Sequence, residues 1–573
     1  MEVGTLVKVY DALAKALADN GVDTVFGLTG DANLFLVDHF IRAYGGTYVS
    51  AAHEAGAVLM AHGYASVTGR VGVATVTHGP AFTNTVTALI EGVRSRTPMV
   101  LIAGDTPVVE KEHIQAVDQR AVVLGTGVGF EQVRSVDTAI ADLGTALRRA
   151  VVERRPVVLN VPVDFVWLDT TYARVDVRPV PVPALGPDPD ALDRAVGVIA
   201  SARRPLVLAG HGATSPRAKA AMLRLAERIG APVATTLKGK DLFRGEAFDL
   251  GIFGTLSTPP AVDAILEADC VIAFGASLNK WTTAVGAYLD GKAVVQCDLD
   301  RGAIGRFGPV DAGVVGDAAV TAETMVAWLD EAEVPATRFR SPALADRVAA
   351  YDPADFADRS TDETVDERTV LLRLEEAVPA DRTLVTDGGQ FIFNALKMLH
   401  VPEPAAFVLG VNFGSIGLGM GNAIGAAVGA PRRPALMLCG DGGFMLGGLV
   451  EFNSAVRAGA DLIAVVFNNR CYGPEYVHFV NHGMDPALSM FDWPDFAGVA
   501  DALGGRGLVV RNLADLDRLP KLIAERDRPL LVDVHLDPAL TPAEREQHRP
   551  VTVGFHPGGP VDNTDIRSNH EHD

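Results

Sequence analysis

Short apolar runs alternate with longer amphipathic stretches over most of the chain. In the middle third the apolar runs have the length of strands, and the stretches between them repeat apolar positions at helical spacing. This alternation predicts parallel sheets with helices on both faces. The first and last thirds show the same alternation, so we predict an α/β fold with three doubly wound parallel-sheet domains. The clearest strand predictions lie at 205–209, 231–235, 270–274 and 293–298.

Two proline-marked breaks divide the chain. The first, at 178–189, alternates proline with other residues, and the second, around 335–367, combines prolines with many charged residues. Proline-rich segments favour extended chain and cannot continue a helix. We therefore place domain boundaries at these breaks and predict a polar tail after the last domain. The predicted segments are 1–177, 190–334, 366–545 and the tail 546–573.

Length, charge and cysteine content restrict the class of protein. A chain of 573 residues is too long for one core. A net charge of −21 argues against nucleic acid as a partner. The sequence has no apolar run of membrane-spanning length, and its N-terminal segment has helical spacing unlike a signal peptide. The four cysteines lack metal-type spacing and read as reduced core thiols, which predicts a cytoplasmic protein.

The most informative chemistry lies between residues 439 and 473. A Gly440-Asp441-Gly442-Gly443 loop follows an apolar strand, and a second apolar strand ends in Asn468-Asn469. Parallel strands joined by a helix end at the same edge of the sheet, where ligands bind. Free N–H groups of a glycine loop can hold phosphate, and carboxylate and amide oxygens suit Mg²⁺. A glycine turn without any ligand is the alternative for the loop taken alone.

This strand–loop–helix–strand pattern resembles the diphosphate-and-metal motif of thiamine diphosphate (ThDP) enzymes. The run HEAGAVLMAHGYA at 53–65, followed by TVTHGPAFTN at 75–84, resembles their pyrimidine-binding half. The resemblance covers nearly the whole chain, in the domain order of acetolactate synthase and its relatives, which include benzoylformate decarboxylase and pyruvate decarboxylase. It implies ThDP and Mg²⁺ as cofactors.

The resemblance also implies roles for individual residues. A buried carboxyl of Glu54 would bond the aminopyrimidine ring and promote proton removal from C2 of the thiazolium. The metal would be bound by Asp441, Asn469 and the backbone carbonyl of Cys471. An ordinary helix-start glutamate is the alternative for Glu54 taken alone, because acidic residues favour that position.

Further cofactor contacts follow from the same resemblance. The carbonyl of Gly414 would accept from the 4′-amino group, and the side chain of Ile416 would wedge between the two rings of ThDP. Ordinary core packing is the alternative for Ile416. The remaining implied contacts come from Pro80, Asn84, Gly389, Gln390, Gly440, Gly442 and Gly443.

Two residues bear on the reaction with the substrate, and one segment bears on whether FAD is bound. Gln115 lies in a segment that resembles the one giving acetolactate synthases an active-site glutamine, which favours carboligation. His78 ends a strand, where an imidazole can exchange protons near neutral pH; a histidine that only caps the turn is the alternative. The segment 275–281 replaces the Arg-Phe-Asp-Asp-Arg stretch near the flavin of the synthases. FAD is therefore disfavoured as a further cofactor, although 235–239 keeps part of the related pattern.

We therefore predict a ThDP- and Mg²⁺-dependent enzyme that forms or cleaves a C–C bond beside a carbonyl. The leading prediction is decarboxylation of a 2-oxo acid with carboligation, on a small 2-oxo acid or ketone. A simple decarboxylase and a hydrolytic lyase acting on a 1,2-diketone remain alternatives. A non-catalytic homologue is disfavoured because Glu54, Asp441 and Asn469 are all present. Since family members build each site from two subunits, the resemblance implies a homodimer at least and a homotetramer as the expected assembly.

Overall fold

The computed structural model describes residues 5–110, 112–177 and 184–540. It confirms the predicted α/β fold, because it contains three six-stranded parallel sheets with helices between their strands. The first and third sheets belong to one compact unit and the second sheet to another. The predicted tail, 546–573, lies outside the described residues. Within the described ranges, no helix combines the length and apolar character needed to cross a bilayer.

The first third of the chain forms a sheet that is covered on both faces. Alternate residues of its strands pack into two separate apolar clusters. The strands are β1 (Thr5–Lys8), β2 (Thr24–Gly27), β3 (Thr47–Ser50), β4 (Gly72–Val76), β5 (Met99–Asp105), β6 (Gly129–Gln132), β7 (Pro156–Pro162) and β8 (Asp169–Tyr172). The helices are α1 (Val9–Asp19), α2 (Leu34–Arg42), α3 (Glu54–Thr68), α4 (Pro80–Thr83), α5 (Val86–Ser95), α6 (Gln119–Leu124) and α7 (Ala139–Glu153). The sheet order is β3-β2-β4-β5-β7-β6, and β1 pairs separately with β8.

The second sheet has the same architecture. Its strands are β9 (Pro205–Ala209), β10 (Val233–Thr235), β11 (Asp249–Ile252), β12 (Cys270–Phe274), β13 (Ala293–Asp298) and β14 (Ala312–Val315). Its helices are α8 (Pro189–Ser201), α9 (Pro216–Ile229), α10 (Pro259–Glu267), α11 (Ala318–Glu331) and α12 (Pro342–Ala349). The strand order is β11-β10-β9-β12-β13-β14.

The third sheet carries the glycine loop. Its strands are β15 (Thr383–Thr386), β16 (Phe407–Leu409), β17 (Ala435–Gly440), β18 (Leu462–Asn468), β19 (Arg506–Val510) and β20 (Leu530–His535), in the order β16-β15-β17-β18-β20-β19. The helices are α13 (Glu367–Ala377), α14 (Ile392–Met398), α15 (Gly419–Gly429), α16 (Asp441–Gly443), α17 (Leu449–Arg457), α18 (Gly473–Asn481), α19 (Phe496–Ala502), α20 (Leu513–Leu516) and α21 (Leu519–Ala524). A π-helical turn, Phe444–Gly448, joins α16 to α17.

The N-terminal segment differs from its prediction. Helical spacing was expected from the first residues, but β1 precedes α1 and pairs antiparallel with β8. The Thr-Leu-Val run of β1 contains β-branched residues, which suit an extended strand once a partner strand is available.

Glycines let α3 and α15 approach closely inside the first compact unit. A Cβ on Gly63 would lie 2.0 Å from the Asn422 carbonyl oxygen, and one on Gly425 would lie 1.8 Å from that of Met60. Neither position can therefore accept a side chain without displacing backbone. This contact joins the first and third sheets, which carry the two predicted halves of the cofactor site.

Candidate active site

The predicted metal-binding oxygens lie at the carboxyl edge of the third sheet. Strands β17 and β18 pair in one parallel register, so Asp441 and Asn469, which follow them, emerge at the same edge. Asp441 is buried, and its Oδ1 accepts the N–H of Gly442 at 2.8 Å. Its Oδ2 accepts the indole N–H of Trp493 at 3.2 Å, a contact that the sequence did not predict. Burial raises the pKa of Asp441 to about 6, although these hydrogen bonds oppose the rise.

The donor set at this edge fits a hard divalent cation. Among the described residues, the hydrogen-bond partners of Asp441 are uncharged N–H groups, so no side chain compensates its buried carboxylate. The side-chain oxygen of Asn469 accepts from the backbone N–H of Cys471 at 3.3 Å, and Cys471 is buried. A carboxylate, an amide oxygen and a backbone carbonyl are ligands that Mg²⁺ takes together with phosphate and water.

A side chain would be crowded at two of the loop glycines, Gly442 and Gly443. Gly440 ends β17, while Gly442 and Gly443 form the first helical turn after it. A Cβ on Gly442 would lie 2.4 Å from the ring of Tyr472, and one on Gly443 would lie 3.1 Å from the Asp387 carboxylate. The loop therefore presents backbone at the sheet edge, as phosphate binding requires.

Asp387 lies in the predicted diphosphate-binding segment 384–390, but the sequence interpretation did not single out its side chain. It is completely buried, and its carboxylate accepts the backbone N–H groups of Gly388 at 2.6 Å, Gly417 at 2.9 Å and Gly419 at 3.1 Å. Burial raises its pKa to about 6. Asp387 thereby ties the turn after β15 to the segment that contains Ile416. Its sequence signal was an acidic residue between an apolar strand and two glycines, the pattern that also marks Asp441.

The other predicted cofactor contacts of this domain lie around that turn. A Cβ on Gly388 would be 3.2 Å from Ile416, so the Ile416 side chain lies against the turn. Gly389 follows at φ 156°, and Gln390 lies against Gly473 at the start of α18. Gly414 has φ 83°, a backbone conformation that favours glycine.

Glu54 and its predicted neighbours lie together at the edge of the first sheet. Glu54 is the first residue of α3, and its Oε2 accepts from the side-chain amide of Asn84 at 3.0 Å. Asn84 directly follows α4, which begins at Pro80. Glu54 is partly exposed in the single chain, whereas a buried carboxyl was expected. Within the described part of the chain, its carboxylate makes no hydrogen bond to the glycine loop of the third sheet.

His78 and Gln115 are also brought together. His78 is fully buried after β4, where burial lowers its pKa below the ordinary value, and its Nδ1 lies 2.9 Å from Thr77 Oγ1. A Cβ on Gly79 would be 2.2 Å from the carbonyl oxygen of Gln115, so the loop containing Gln115 packs beside His78. The ring of His113, which the sequence did not single out, lies 5.1 Å from that of His78, centroid to centroid.

Glu451 in α17 positions the segment that carries Glu54. It is 2% exposed and accepts the backbone N–H groups of Ala52 at 3.1 Å and His53 at 2.9 Å. Gly56 permits this approach, because a Cβ there would lie 2.1 Å from the Glu451 carboxylate. A residue of the third domain thus holds the start of α3 in the first domain.

Glu91 in α5 makes the reciprocal connection. It is fully buried and accepts the backbone N–H groups of Asn412 at 2.9 Å and Phe413 at 2.7 Å. These residues immediately precede Gly414. Each predicted half of the cofactor site is therefore held in place by a buried carboxylate from the other domain of the same unit.

We expect Glu451→Ala and Glu91→Ala each to lower the free energy of unfolding by about 2–4 kcal/mol, because each removes two hydrogen bonds from backbone N–H groups to a charged acceptor. Urea unfolding followed by tryptophan fluorescence measures the change. Glu376→Ala, at an exposed site in α13, is the control and should change stability by less than about 0.5 kcal/mol. Variants of Glu451 and Glu91 as stable as this control would contradict the positioning role.

Three relatives match this chain over most of its length and of their own. A sulfoacetaldehyde acetyltransferase of Castellaniella defragrans is 29% identical over 553 residues, which cover 88% of each chain. A probable 2-ketoarginine decarboxylase of Pseudomonas aeruginosa is 30% identical over 525 residues, covering 89% of this chain and 90% of the relative. An acetolactate synthase large subunit of Parasynechococcus marenigrum is 28% identical over 548 residues, covering 92% and 87%.

Family models match all three domains in order. The N-terminal TPP binding domain of thiamine pyrophosphate enzymes matches residues 7–122, the central domain matches 192–325, and the C-terminal TPP binding domain matches 387–534. Thiamine pyrophosphate is the same molecule as ThDP, so these matches agree with the resemblance found in the sequence motifs. Together with the full-length relatives, they show that this chain belongs to the thiamine pyrophosphate enzyme family.

Proposed function

We propose that this chain is a ThDP- and Mg²⁺-dependent enzyme that decarboxylates a 2-oxo acid and joins the resulting carbanion to a second carbonyl compound. The observation that carries the proposal is the buried carboxylate of Asp441, which has no positively charged hydrogen-bond partner among the described residues and lies at one sheet edge with Asn469 and a glycine loop. The relatives named acetolactate synthase and acetyltransferase support transfer to a second molecule.

The third domain would hold the diphosphate and the metal. Asp441, Asn469 and the carbonyl of Cys471 would bind Mg²⁺, while the N–H group of Gly443 would face the phosphate oxygens. When bound, ThDP supplies a thiazolium ring that accepts electrons from a carbanion. The raised pKa of Asp441 means that the metal must displace a proton below about pH 6.

The first domain would supply the proton-transfer group. The side-chain amide of Asn84 donates to Oε2 of Glu54 and so fixes the carboxyl orientation. Oε1 is then the oxygen left free to bond a ring nitrogen of the aminopyrimidine. The proton in that hydrogen bond would lie between Oε1 and the nitrogen. A positioned carboxyl of this kind contributes about 10²–10⁴-fold to the rate of a proton transfer.

We also propose that a second copy of the chain completes the site, in a homodimer at least and a homotetramer as the expected assembly. Glu54 is partly exposed. Large apolar side chains in the two predicted cofactor segments of the third domain are exposed as well: Phe413, before Gly414, is 41% accessible, and Leu446 and Val450, after the glycine loop, are 64% and 52% accessible. Exposed apolar residues grouped around a ligand motif are typical of a subunit interface. Light scattering after size-exclusion chromatography tests this, and an active monomer would refute it.

Product analysis distinguishes carboligation from simple decarboxylation. A decarboxylase is the second candidate, because the relative named as a probable 2-ketoarginine decarboxylase is 30% identical over most of both chains. The purified protein is incubated with ThDP, Mg²⁺ and either carbon-13-labelled pyruvate or 2-ketoarginine, with and without sulfoacetaldehyde, and products are followed by NMR.

We expect a product that joins two carbonyl compounds. An aldehyde as the only product would establish the decarboxylase instead. Cleavage of cyclohexane-1,2-dione by water would move the assignment to a hydrolytic lyase. Failure to bind ThDP would refute the proposed function.

A further inference from the structure

Hydrogen bonds around His78 fix which of its ring nitrogens carries the hydrogen. Thr77 Oγ1 donates to Asp31 Oδ1 at 2.8 Å and lies 2.9 Å from His78 Nδ1. A hydroxyl has one hydrogen and a carboxylate can only accept, so the Thr77 oxygen must accept from His78. His78 therefore carries hydrogen at Nδ1, and its Nε2 presents a lone pair. Nε2 is buried and has no hydrogen-bond partner among the described residues.

His113 is in the other tautomer, with its hydrogen on Nε2 and not on Nδ1. The backbone N–H of Gln115 donates to His113 Nδ1 at 3.2 Å, so that nitrogen carries the lone pair and the hydrogen lies on Nε2. The two rings are in contact, with centroids 5.1 Å apart and planes inclined by 56°. His78 is fully buried, whereas His113 is partly exposed. Of the two rings, His113 is therefore the one that solvent or a small molecule can reach.

The surroundings of His78 act on a positive charge there in opposite directions. Asp31, from the loop after β2, lies 3.6 Å from His78 Nδ1, and Asp105 at the end of β5 also favours a positive charge on His78. Burial of His78 and the neighbouring His113 ring both oppose that charge. Two adjacent imidazolium ions would repel each other, so simultaneous positive charge on both rings is disfavoured.

We propose that His78 and His113 form an acid–base pair that exchanges one proton with the substrate, with His113 facing the substrate and the Asp31–Thr77 hydrogen bond fixing the tautomer of His78. This proposal rests on the proposed function. The two histidines lie in separate loops, after β4 and after β5, which bring their rings into contact.

The proton balance of the step is simple. The singly protonated pair gives its proton to the carbonyl oxygen that becomes negative when the C–C bond forms. An N–H bond breaks, an O–H bond forms, and both rings return to neutral forms. In the opposite direction, a neutral ring removes the proton from the hydroxyl group as the C–C bond breaks. Nothing is oxidised or reduced.

Neutron diffraction from crystals of the full-length protein tests the tautomers without any substrate. We expect hydrogen at His78 Nδ1 and at His113 Nε2 at high pH, with a single additional hydrogen on the pair at low pH. Hydrogen at Nε2 of His78 with none at Nδ1, or two imidazolium rings at low pH, would overturn the proposal.

The pH dependence of kcat/KM tests the function of the pair, using the substrate identified by product analysis. His113→Gln keeps an N–H donor but cannot take up a proton. We expect it to lose the ionisation assigned to the pair and about 10²-fold in kcat/KM. The double variant His78→Gln/His113→Gln should be little worse than either single variant. His39→Gln, in α2 of the same domain, is the control.

Exchange of the C2 proton of bound ThDP for deuterium separates the two proposals. His113→Gln should leave this exchange unchanged, because Glu54 drives it. An absence of exchange in the wild-type protein would refute the proposed function. Normal exchange together with a wild-type pH profile in His113→Gln would refute the histidine pair alone.

Discussion

Glu54→Gln is expected to lower turnover by about 10²–10⁴-fold while leaving ThDP affinity nearly unchanged. The glutamine side chain has the same size and can still bond Asn84, so the first turn of α3 should keep its geometry. It cannot hold and release a proton as a carboxyl does. Steady-state kinetics measures the loss, and isothermal titration calorimetry with ThDP and Mg²⁺ measures the affinity.

Two further variants make this prediction specific. Glu525→Gln changes an exposed glutamate and should keep wild-type kinetics. Asn84→Ala removes the donor to Oε2 without removing the carboxyl, so its turnover should fall between those of the wild-type protein and Glu54→Gln. A fully active Glu54→Gln protein would refute the proton-transfer role.

Asp441→Asn is expected to weaken Mg²⁺-dependent ThDP binding by about 100-fold or more, because loss of residues that only support metal ligands already costs about 10–100-fold. The wild-type affinity should fall as pH drops below about 6, because Mg²⁺ then competes with a proton on Asp441. The asparagine variant should lose that pH dependence. Calorimetry at several pH values measures both effects.

The stability of the apo protein separates lost binding from lost folding. Asp441→Asn removes a buried carboxylate that lacks a compensating charge among the described residues, so the apo variant should be at least as stable as the wild-type protein. Asp527→Asn, at an exposed carboxylate paired with Arg528, is the control and should bind ThDP normally. Unchanged, Mg²⁺-dependent affinity in Asp441→Asn would contradict the metal assignment.

Strands of the second sheet could be predicted closely from sequence. The predicted runs 205–209, 270–274 and 293–298 coincide with β9, β12 and β13. The first two are short apolar segments whose residues are all buried. Burial on both faces of a parallel sheet requires such continuous apolar runs. The pattern therefore identifies these strands before any tertiary contact is known.

The loop motif was predictable because its chemistry is local. Asp441 and Asn469 each follow a strand directly, and sheet topology alone places them at one edge. Trp493, by contrast, reaches Asp441 from a separate segment. Nothing in the residues around Trp493 indicates that contact, because only the folded chain creates it.

The supporting carboxylates were missed for the same reason. Glu451 and Glu91 lie in helices and bond backbone groups 399 and 321 positions away, respectively. Their partners are N–H groups, which every segment offers, so no residue type marks the interaction. The contact between His78 and His113 likewise depends on how two loops pack at the sheet edge.

The rate of C2 proton exchange in bound ThDP tests the cofactor assignment most directly. The protein is saturated with ThDP and Mg²⁺ in deuterium oxide, quenched with acid at short times, and the C2 signal is measured by NMR. If Glu54 and the metal site act as proposed, the C2 proton should exchange much faster in bound ThDP than in free ThDP. This acceleration should disappear in Glu54→Gln and should require Mg²⁺. Exchange at the rate of free ThDP, with the cofactor fully bound, would contradict the assignment.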